Sequence, residues 1–562
     1  MSLEKIANKI IETDVVVVGG GIAGCPAAAK AAEHGLDVTL VEKAHTERSG
    51  SAAAGIDHYG GAFDKGMTVK EWHDILDSYS PRAFYGLLPW GDPTRIYRQY
   101  ANGMWAIEEL EKLGVTMRWT DGELRFIQCH HEGKFIRVHW QNVKPEMAKG
   151  IRERGVNILE RTMVVDLLTD NGRVVGVTAV NTRTGEFMVI KAKAVVVATA
   201  ECARVFNPET PLSWRYKYRY HWAPSSVSGD GWAMAYRAGA ELANMEQAGR
   251  GMRMRDDLVM SFGNHGNEGN EAYPMTYDGI KILKTGPNNR KEMKKLKKDD
   301  PDYFSLEHLS DDFHKRIEVA YVDERLVSFK LAEERGFDPK THWFEHMDNR
   351  PNQLHVPPGI WNNQHFMSSI DGLYVIGDAM AGNHDVANAA TSGFLVGDTV
   401  GDFIKDVGDA IIDEDQVQAS KAAVDAPLNV KKGTEPEELE VAIRYVCNRY
   451  IGVDKVEGRL LEGRRRLRTL RREFLPQLKA DTPHYLMRAL EVRNLMDMAD
   501  LHCAASLERK ETRDLHIRED FPDLNPELDG KLIFQRLEDG KPVIEWKERE
   551  PMAFSDDHKE ER

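Results

Sequence analysis

The sequence predicts an α/β fold built on a Rossmann-like dinucleotide-binding unit, and three stretches carry that prediction. The first is Asp14–Lys43, DVVVVGGGIAGCPAAAKAAEHGLDVTLVEK, which reads as strand, tight turn, helix and strand. The second is Ala194–Thr199, AVVVAT, an apolar β-branched run of the kind buried on both faces in a parallel sheet. A third element, GLYVIGDAMAG at 372–382, follows them in the chain.

In the first stretch Val15–Val18 is the opening strand, and Gly19, Gly21 and Gly24 stand at the spacing G-x-G-x-x-G. The glycines make the turn, let the backbone approach a pyrophosphate, and let helix and strand pack closely. The alanine-rich segment Ala27–His34 is the helix, whose N-terminus turns unpaired N–H groups and a positive dipole end toward phosphate. Val38–Val41 is the second strand. It ends on Glu42, 23 residues beyond Gly19, an acid placed to accept hydrogen bonds from a ribose hydroxyl.

After Lys43 the run AHTERSGSAAAGIDHYGG is glycine- and serine-rich and long for a surface turn, as functional loops often are. Residues 69–113 read as helices and 125–138 as strands, and Pro145–Arg154 is a helix with proline in its first turn. Asn157–Leu168, Val174–Asn181 and Glu186–Ala192 are strands, with Asn171-Gly172 as a hairpin turn. From 430 to 510 the apolar period is helical, as at Leu460, Leu467, Leu470 and Phe474. The last residues, KEREPMAFSDDHKEER, read as a charged, solvated tail.

Length and composition narrow the function. A chain of 562 residues exceeds one ordinary domain, and 41% hydrophobic with 29% charged residues is the balance of a soluble globular protein. A formal charge of −15 argues against a nucleic-acid-binding surface. No apolar run approaches a membrane span, and the opening MSLEKIANKIIETD lacks a signal-peptide core. The five cysteines form no C-x-x-C pair, so no metal or iron–sulfur site is expected within the chain, and free thiols suit the cytoplasm.

The order of these elements resembles the flavoprotein subunits of the fumarate reductase and succinate dehydrogenase superfamily, in which all three stretches contact one FAD. SGDGWAMAYRAGAELANME (228–246) is similar to that family's T-G-D-G-x-x-M-A-x-x-A-G-A. SLERKETRDLHIREDFPDLN (506–525) is similar to its A-x-x-R-x-E-S-R-G-x-H-x-R-x-D-[FY]-P. Within the superfamily the likeness is nearest to the adenylylsulfate (APS) reductase alpha subunits. Glu47-Arg48-Ser49-Gly50 matches their E-R-S-G, and Met245-Glu246 with Arg253 resembles M-E-N-R-F-x-P-A-R. His355 with Gly359-Ile360-Trp361 resembles H-S-G-C-C-G-I-W, one residue shorter.

The resemblance implies a glutathione-reductase-type FAD-binding domain in two segments, 1–231 and 351–408. An α+β capping domain is inserted at 232–350, and a helical domain with the tail follows at 409–562. It places cofactor contacts at Gly19, Gly21, Gly24, Glu42, Lys43, Ser49, Gly50, Val165, Thr199, Asp230, Gly377, Asp378, Asn388, Ser392 and Gly393. Thr391-Ser392-Gly393 is expected to precede a helix whose first amides face the flavin and stabilise negative charge on it. Arg253 and His355 fall where the family keeps a substrate-binding arginine and histidine, residue types suited to holding an anion and handling a proton. Arg253 also reads as one of a surface run with Arg250 and Arg255. His355 also reads as a histidine satisfied within a proline-rich loop, and His365 is the alternate.

Two departures from fumarate reductase matter. The histidine that attaches FAD covalently there is Gly50 here, so noncovalent FAD is expected. The arginine that clamps a dicarboxylate there is Ala389 here, which argues against succinate or fumarate. Trp214, Trp222 and Trp232, with Tyr216, Tyr218 and Tyr220, are aromatics for a flavin or substrate base, or ordinary core. The basic stretches 288–300 and 463–472 are solvated helix faces, or docking sites for an acidic partner.

The sequence therefore predicts a cytoplasmic FAD oxidoreductase, similar to APS reductase alpha, acting on a small anionic substrate. Electrons pass through a separate ferredoxin-like iron–sulfur subunit in a hetero-oligomer. The alternatives are a fumarate-reductase-like enzyme on another unsaturated acid, and a flavin electron-transfer subunit without its own substrate.

Overall fold

The computed structural model describes residues 2–560 apart from 54–55, 61–65, 79–89, 207–225, 248–253, most of 256–356, and 120, 130–132, 141, 384 and 453. Its centre is the predicted parallel sheet. The elements are β1 (Val15–Val18), α1 (Gly24–Glu33), β2 (Val38–Val41), β3 (Asn157–Leu159), β4 (Ala194–Val197), α2 (Asp230–Arg237), β5 (Leu373–Val375) and α3 (Val386–Asp406). The strand order is β5-β4-β1-β2-β3, all parallel, with Val15 opposite Val38 and Ala194. All twelve residues of β1, β2 and β4 are buried, which is why these strands read as near-continuous apolar runs, broken only by Thr39, rather than alternating ones.

The run 157–168 divides. Arg161, at φ 56, turns the chain out of β3 into a separate strand, Thr162–Asp170, of a second sheet with Arg173–Asn181, Phe187–Lys191 and Lys9–Glu12. Asn171 (φ 48) and Gly172 (φ 81) make the predicted hairpin turn, both left-handed as a type I′ turn requires.

Helix α3 lies against α1 with almost no gap. A Cβ on Gly393 would stand 2.2 Å from the Ala23 carbonyl oxygen, and one on Gly397 would stand 2.6 Å from that of Ala27. Two small residues four apart on each helix allow the backbones this approach. The expected position of Thr391-Ser392-Gly393 before the helix is corrected. The helix begins at Val386, capped by Asp385, so Thr391-Ser392-Gly393 lie inside it and face helix packing.

The inserted region shows a four-stranded antiparallel sheet of Met254–Arg255, Trp343–His346, Asp302–Ser305 and Tyr273–Met275. A boundary at 231 would cut α2, and Leu242–Ala243 still pairs with Gly359–Ile360.

Beyond 409 the chain is helical as predicted through α4 (Pro436–Val446), α5 (Glu457–Thr469) and α6 (Pro483–Glu508), with π turns at Cys447–Ile451 and Leu470–Phe474. Two features were not expected. Residues 531–548 form a hairpin, β6 (Lys531–Glu538) and β7 (Lys541–Glu548), and β6 pairs with Leu242–Ala243. The tail is docked rather than solvated. Met552 and Phe554 pack against the Met67, Trp72 and Tyr97 cluster, Lys559 bridges to Thr68, and Arg98 meets Glu560 at 2.9 Å. Its charged composition hid two apolar anchors. No helix among the described residues is long and apolar enough to cross a membrane.

Candidate functional site

Strands β1, β4 and β5 end side by side, and the crevice outside such ends is where open α/β sheets take ligands. Gly19, at φ +103, would put a Cβ 2.4 Å from the Ala198 carbonyl oxygen, and Gly24 would put one 1.9 Å from that of Gly19. Both positions exclude any side chain. Gly21 is different, because a Cβ there meets nothing within 4 Å. Gly50, at φ +77, would direct its Cβ to 3.7 Å from the Gly21 Cα. The loop at Gly50 thus packs close to the turn, whereas the side-chain position of Gly21 opens on free space among the described residues.

Among the described residues, Thr46 Oγ1 and Ser49 Oγ beside this cradle are buried with no partner, as are Thr199 Oγ1 and Glu201 Oε2 beyond the end of β4. Buried hydroxyls are normally satisfied, so their grouping at one crevice suits a polar ligand. An FAD fits the glycine cradle, the free N-terminus of α1 and these hydroxyls. Gly50 offers no side chain for a covalent bond to it. When bound, FAD supplies the two-electron chemistry.

Glu42 ends β2 as predicted. Its Oε2 accepts from the Gly20 N–H at 2.8 Å and its Oε1 from the Ala44 N–H at 2.7 Å, which fixes the carboxylate while leaving lone pairs open. Behind the turn, the buried Lys144 donates its Nζ to the Gly20 carbonyl. Nothing local in NVKPEM marks that lysine.

Lys43 and Asp230 are brought together, but on each other. Lys43 Nζ donates to Asp230 Oδ2 (2.6 Å), Glu491 Oε1 (2.8 Å), Ser226 O (2.8 Å) and Ser228 Oγ (2.9 Å). Asp230 also accepts from Asn494 at 2.8 Å. An ammonium so engaged braces the end of β2 against α6. Burial alone would push the Glu491 carboxyl up, but Lys43 and Arg204 hold it down to about 2.

Val165 lies in the second sheet. Its side chain lies in the second core cluster with Met163, Phe187 and Val417, and its carbonyl accepts from Arg237 at 2.9 Å. Strand alternation points Val164 toward the main core and Val165 away from it.

The turn after β5 is clamped from several elements. Gly377, at φ +61, donates its N–H to Ser392 Oγ at 3.0 Å. Asn383 donates to Asp378 Oδ1 at 3.0 Å, and Gln99 donates to Asn383 Oδ1 (2.8 Å) and to the Asn388 carbonyl (3.0 Å). The buried Arg95 donates to the carbonyls of Ala381 (2.8 Å) and Gly382 (3.0 Å) and to Asn362 Oδ1 (3.0 Å). Trp232 Nε1 donates to the Ala379 carbonyl at 3.0 Å, so this tryptophan is core. Arg95 and Gln99 were missed, although they stand four apart on the helix Pro93–Ala101 behind an Asp92-Pro93 cap, so both face one way.

Arg253, His355, Trp214, Trp222, Tyr216, Tyr218, Tyr220 and the stretch 288–300 lie outside the described residues. His365 is an exposed loop residue. Arg464, Arg465, Arg468 and Arg472 are exposed, as a solvated helix face would be. No group of three or more potential ligands for a metal ion occurs among the described residues, and Cys25, Cys202, Cys447 and Cys503 are free and buried.

Comparison with known proteins matches residues 14–252 to the FAD binding domain family and 442–557 to the fumarate reductase flavoprotein C-term family. The chain is 26% identical to an L-aspartate oxidase of Streptomyces coelicolor, over 91% of this chain and 89% of that one. It is 22% identical to one chain of the fumarate reductase (CoM/CoB) of Methanothermobacter marburgensis, over 94% of this chain and 98% of that one. Among solved structures, an adenosine-5-phosphosulfate reductase in complex with sulfite superposes with TM-score 0.82 at 22% identity, covering 98% of both chains. An E. coli quinol fumarate reductase superposes with TM-score 0.77 at 19% identity, covering 97% and 98%. With both family domains in their places and a cradle that fits the cofactor, the chain belongs to the fumarate reductase and succinate dehydrogenase flavoprotein superfamily and is an FAD-dependent oxidoreductase.

Proposed function

We propose that this chain is the flavin-bearing component of a two-electron oxidoreductase, similar to the APS reductase alpha subunits, whose substrate is a small anion other than succinate or fumarate. Ala389 is the observation that carries the reading. It stands buried in the first turn of α3, its methyl 3.7 Å from where a Cβ on Gly377 would be, and it brings no charge to the position of the family's dicarboxylate clamp. Losing a charged hydrogen-bond partner in a closed site costs about 1.5–3 kcal/mol, roughly tenfold to a hundredfold in affinity.

In this reading Arg253 holds the anion and His355 handles the proton. Electrons arrive through a separate ferredoxin-like iron–sulfur subunit in a cytoplasmic hetero-oligomer, because the chain has no C-x-x-C pair to carry its own relay. The sequence relatives named for L-aspartate and fumarate favour a second reading, an enzyme of another unsaturated acid.

Turnover with artificial electron carriers separates these readings when measured on fumarate, on sulfite plus AMP, and on a panel of unsaturated acids. Brisk fumarate reduction would overturn the argument from Ala389. On the true substrate, His355→Asn lowers turnover by about two to four orders of magnitude while FAD stays bound. Full activity in both Arg253 and His355 variants would point instead to an electron-transfer subunit with no substrate of its own.

A further inference from the structure

Glu201 has no place in the site as the sequence reads it, yet it is buried just beyond the end of β4, the strand that pairs with β1. It follows β4 by four residues, just as Asp378 follows β5 by three. The two strands are neighbours, with Val197 opposite Val375 and the Ile376 N–H bonded to the Val197 carbonyl at 3.0 Å, so both carboxyls emerge at one edge of the sheet. Glu201 is 5% exposed, and its Oε2 has no protein partner. Thr199 Oγ1, two residues earlier and directed at Gly231 on α2, has none either among the described residues. One Asp378 oxygen is taken by Asn383.

We propose that Glu201 and Asp378 act as one proton-holding carboxyl pair in the FAD crevice, and that FAD binding is linked to uptake of a proton by this pair. Two carboxyls at neighbouring strand ends, Glu201 buried and Asp378 half-buried, do not both ionise readily. FAD adds a pyrophosphate, and hence more negative charge, to the same crevice. The protonated pair is therefore the form that accepts it, and its carboxylic O–H is a donor that a carboxylate could not offer.

The neighbouring charges do not cancel this. Asp385, at the start of α3, adds negative potential on Asp378. Asp230, on α2, acts on Cys202 beside Glu201. Arg204, the cation nearest in the chain, is already paired with Glu440 and Glu491 at 2.6 Å each. Burial, reinforced by Asp378, pushes the Glu201 carboxyl up to about 8, and burial with Asp385 raises Asp378 to about 7 against the Asn383 bond.

The test titrates FAD into flavin-stripped protein, read by quenching of flavin fluorescence, from about pH 6 to about pH 9. The wild type should bind with constant affinity below about pH 7 and weaken by about tenfold per pH unit above about pH 8, with net uptake of one proton per FAD in calorimetry across buffers. Glu201→Gln keeps the shape, removes the titration and should bind with little pH dependence. A second readout needs no FAD. The raised carboxyl keeps the folded apoprotein protonated where the unfolded chain is ionised, so wild-type stability falls as pH rises from about 4.5 toward about 8. Glu201→Gln should lose less over that range. A pH-independent wild-type affinity, or an undiminished slope in Glu201→Gln, overturns the proposal while leaving the FAD assignment standing. Failure to bind FAD at every pH would overturn both.

Discussion

A valine at Gly21 should separate cofactor loss from misfolding. The backbone there is not in the left-handed region, and an added Cβ meets nothing within 4 Å, so the apoprotein has no clash to relieve. Folding should be unchanged to within about 1 kcal/mol. The side chain does enter the open space beside the turn, where a pyrophosphate would approach the backbone. If it displaces the phosphates from two backbone N–H groups, at about 1.5–3 kcal/mol for each charge-assisted bond, affinity falls by about two to four orders of magnitude. Gly24→Ala is the matched control, because its Cβ would lie 1.9 Å from the Gly19 carbonyl oxygen and the turn itself must break. Flavin absorbance per mole of purified protein and the melting temperature of the apoprotein give the two readouts. Gly21→Val should melt like wild-type apoprotein and hold no FAD, whereas Gly24→Ala should melt lower or fail to accumulate. Full FAD occupancy in Gly21→Val would show that the open space beside Gly21 is not where the pyrophosphate lies.

Other perturbations probe separate parts of the molecule. Acid precipitation should release all the flavin into the supernatant, since Gly50 has no side chain to bond it; colour retained in the pellet would refute this. Glu491→Gln leaves Lys43 and Arg204 without a shared carboxylate and should cost about 3–5 kcal/mol in urea unfolding at neutral pH. Because that carboxyl is held near 2 when folded, its stabilisation is complete above the unfolded value of about 4.3 and is lost as pH falls toward 2. The gap between wild type and variant should therefore narrow in acid, and a gap independent of pH would count against the ion pairs. Phe554→Ala removes a ring stacked on His558 at 3.7 Å and edge-on to Tyr97 at 6.1 Å, so the melting temperature should drop by the equivalent of about 1–3 kcal/mol. No change would mean that the tail is not anchored there.

How much of this was legible depends on how far apart the interacting residues lie. β1 and β4 announce themselves within four residues, because burial on both faces favours an apolar side chain at every position. Asn171-Gly172 is as local, since its two positive φ angles select those residue types. The start of α3 misled for a related reason. Thr-Ser-Gly reads as a loop when taken alone, and only the pairing of Gly393 and Gly397 with Ala23 and Ala27 shows that glycine is there for helix packing. That spacing is present in the sequence, but its meaning needs the partner helix.

The braces around the cofactor crevice carry no local mark at all. Lys43 meets Glu491 across 448 residues, and Arg95 reaches the Ala381 carbonyl across 286. Lysine at the end of a strand and arginine on an amphipathic helix are both ordinary on a surface, so type and period gave no reason to bury them. Burial is tolerated because every charge finds a fixed partner: carboxylates for Lys43, and the carbonyls of the Gly377–Gly382 turn for Arg95. The glycines that shape the cradle are therefore readable from the chain, whereas the charged residues that hold it in shape become visible only once distant segments meet. Substitutions at the two groups should differ accordingly. Changes at Gly21 affect the ligand with little effect on the fold, and changes at Glu491 affect the fold first and the ligand through it.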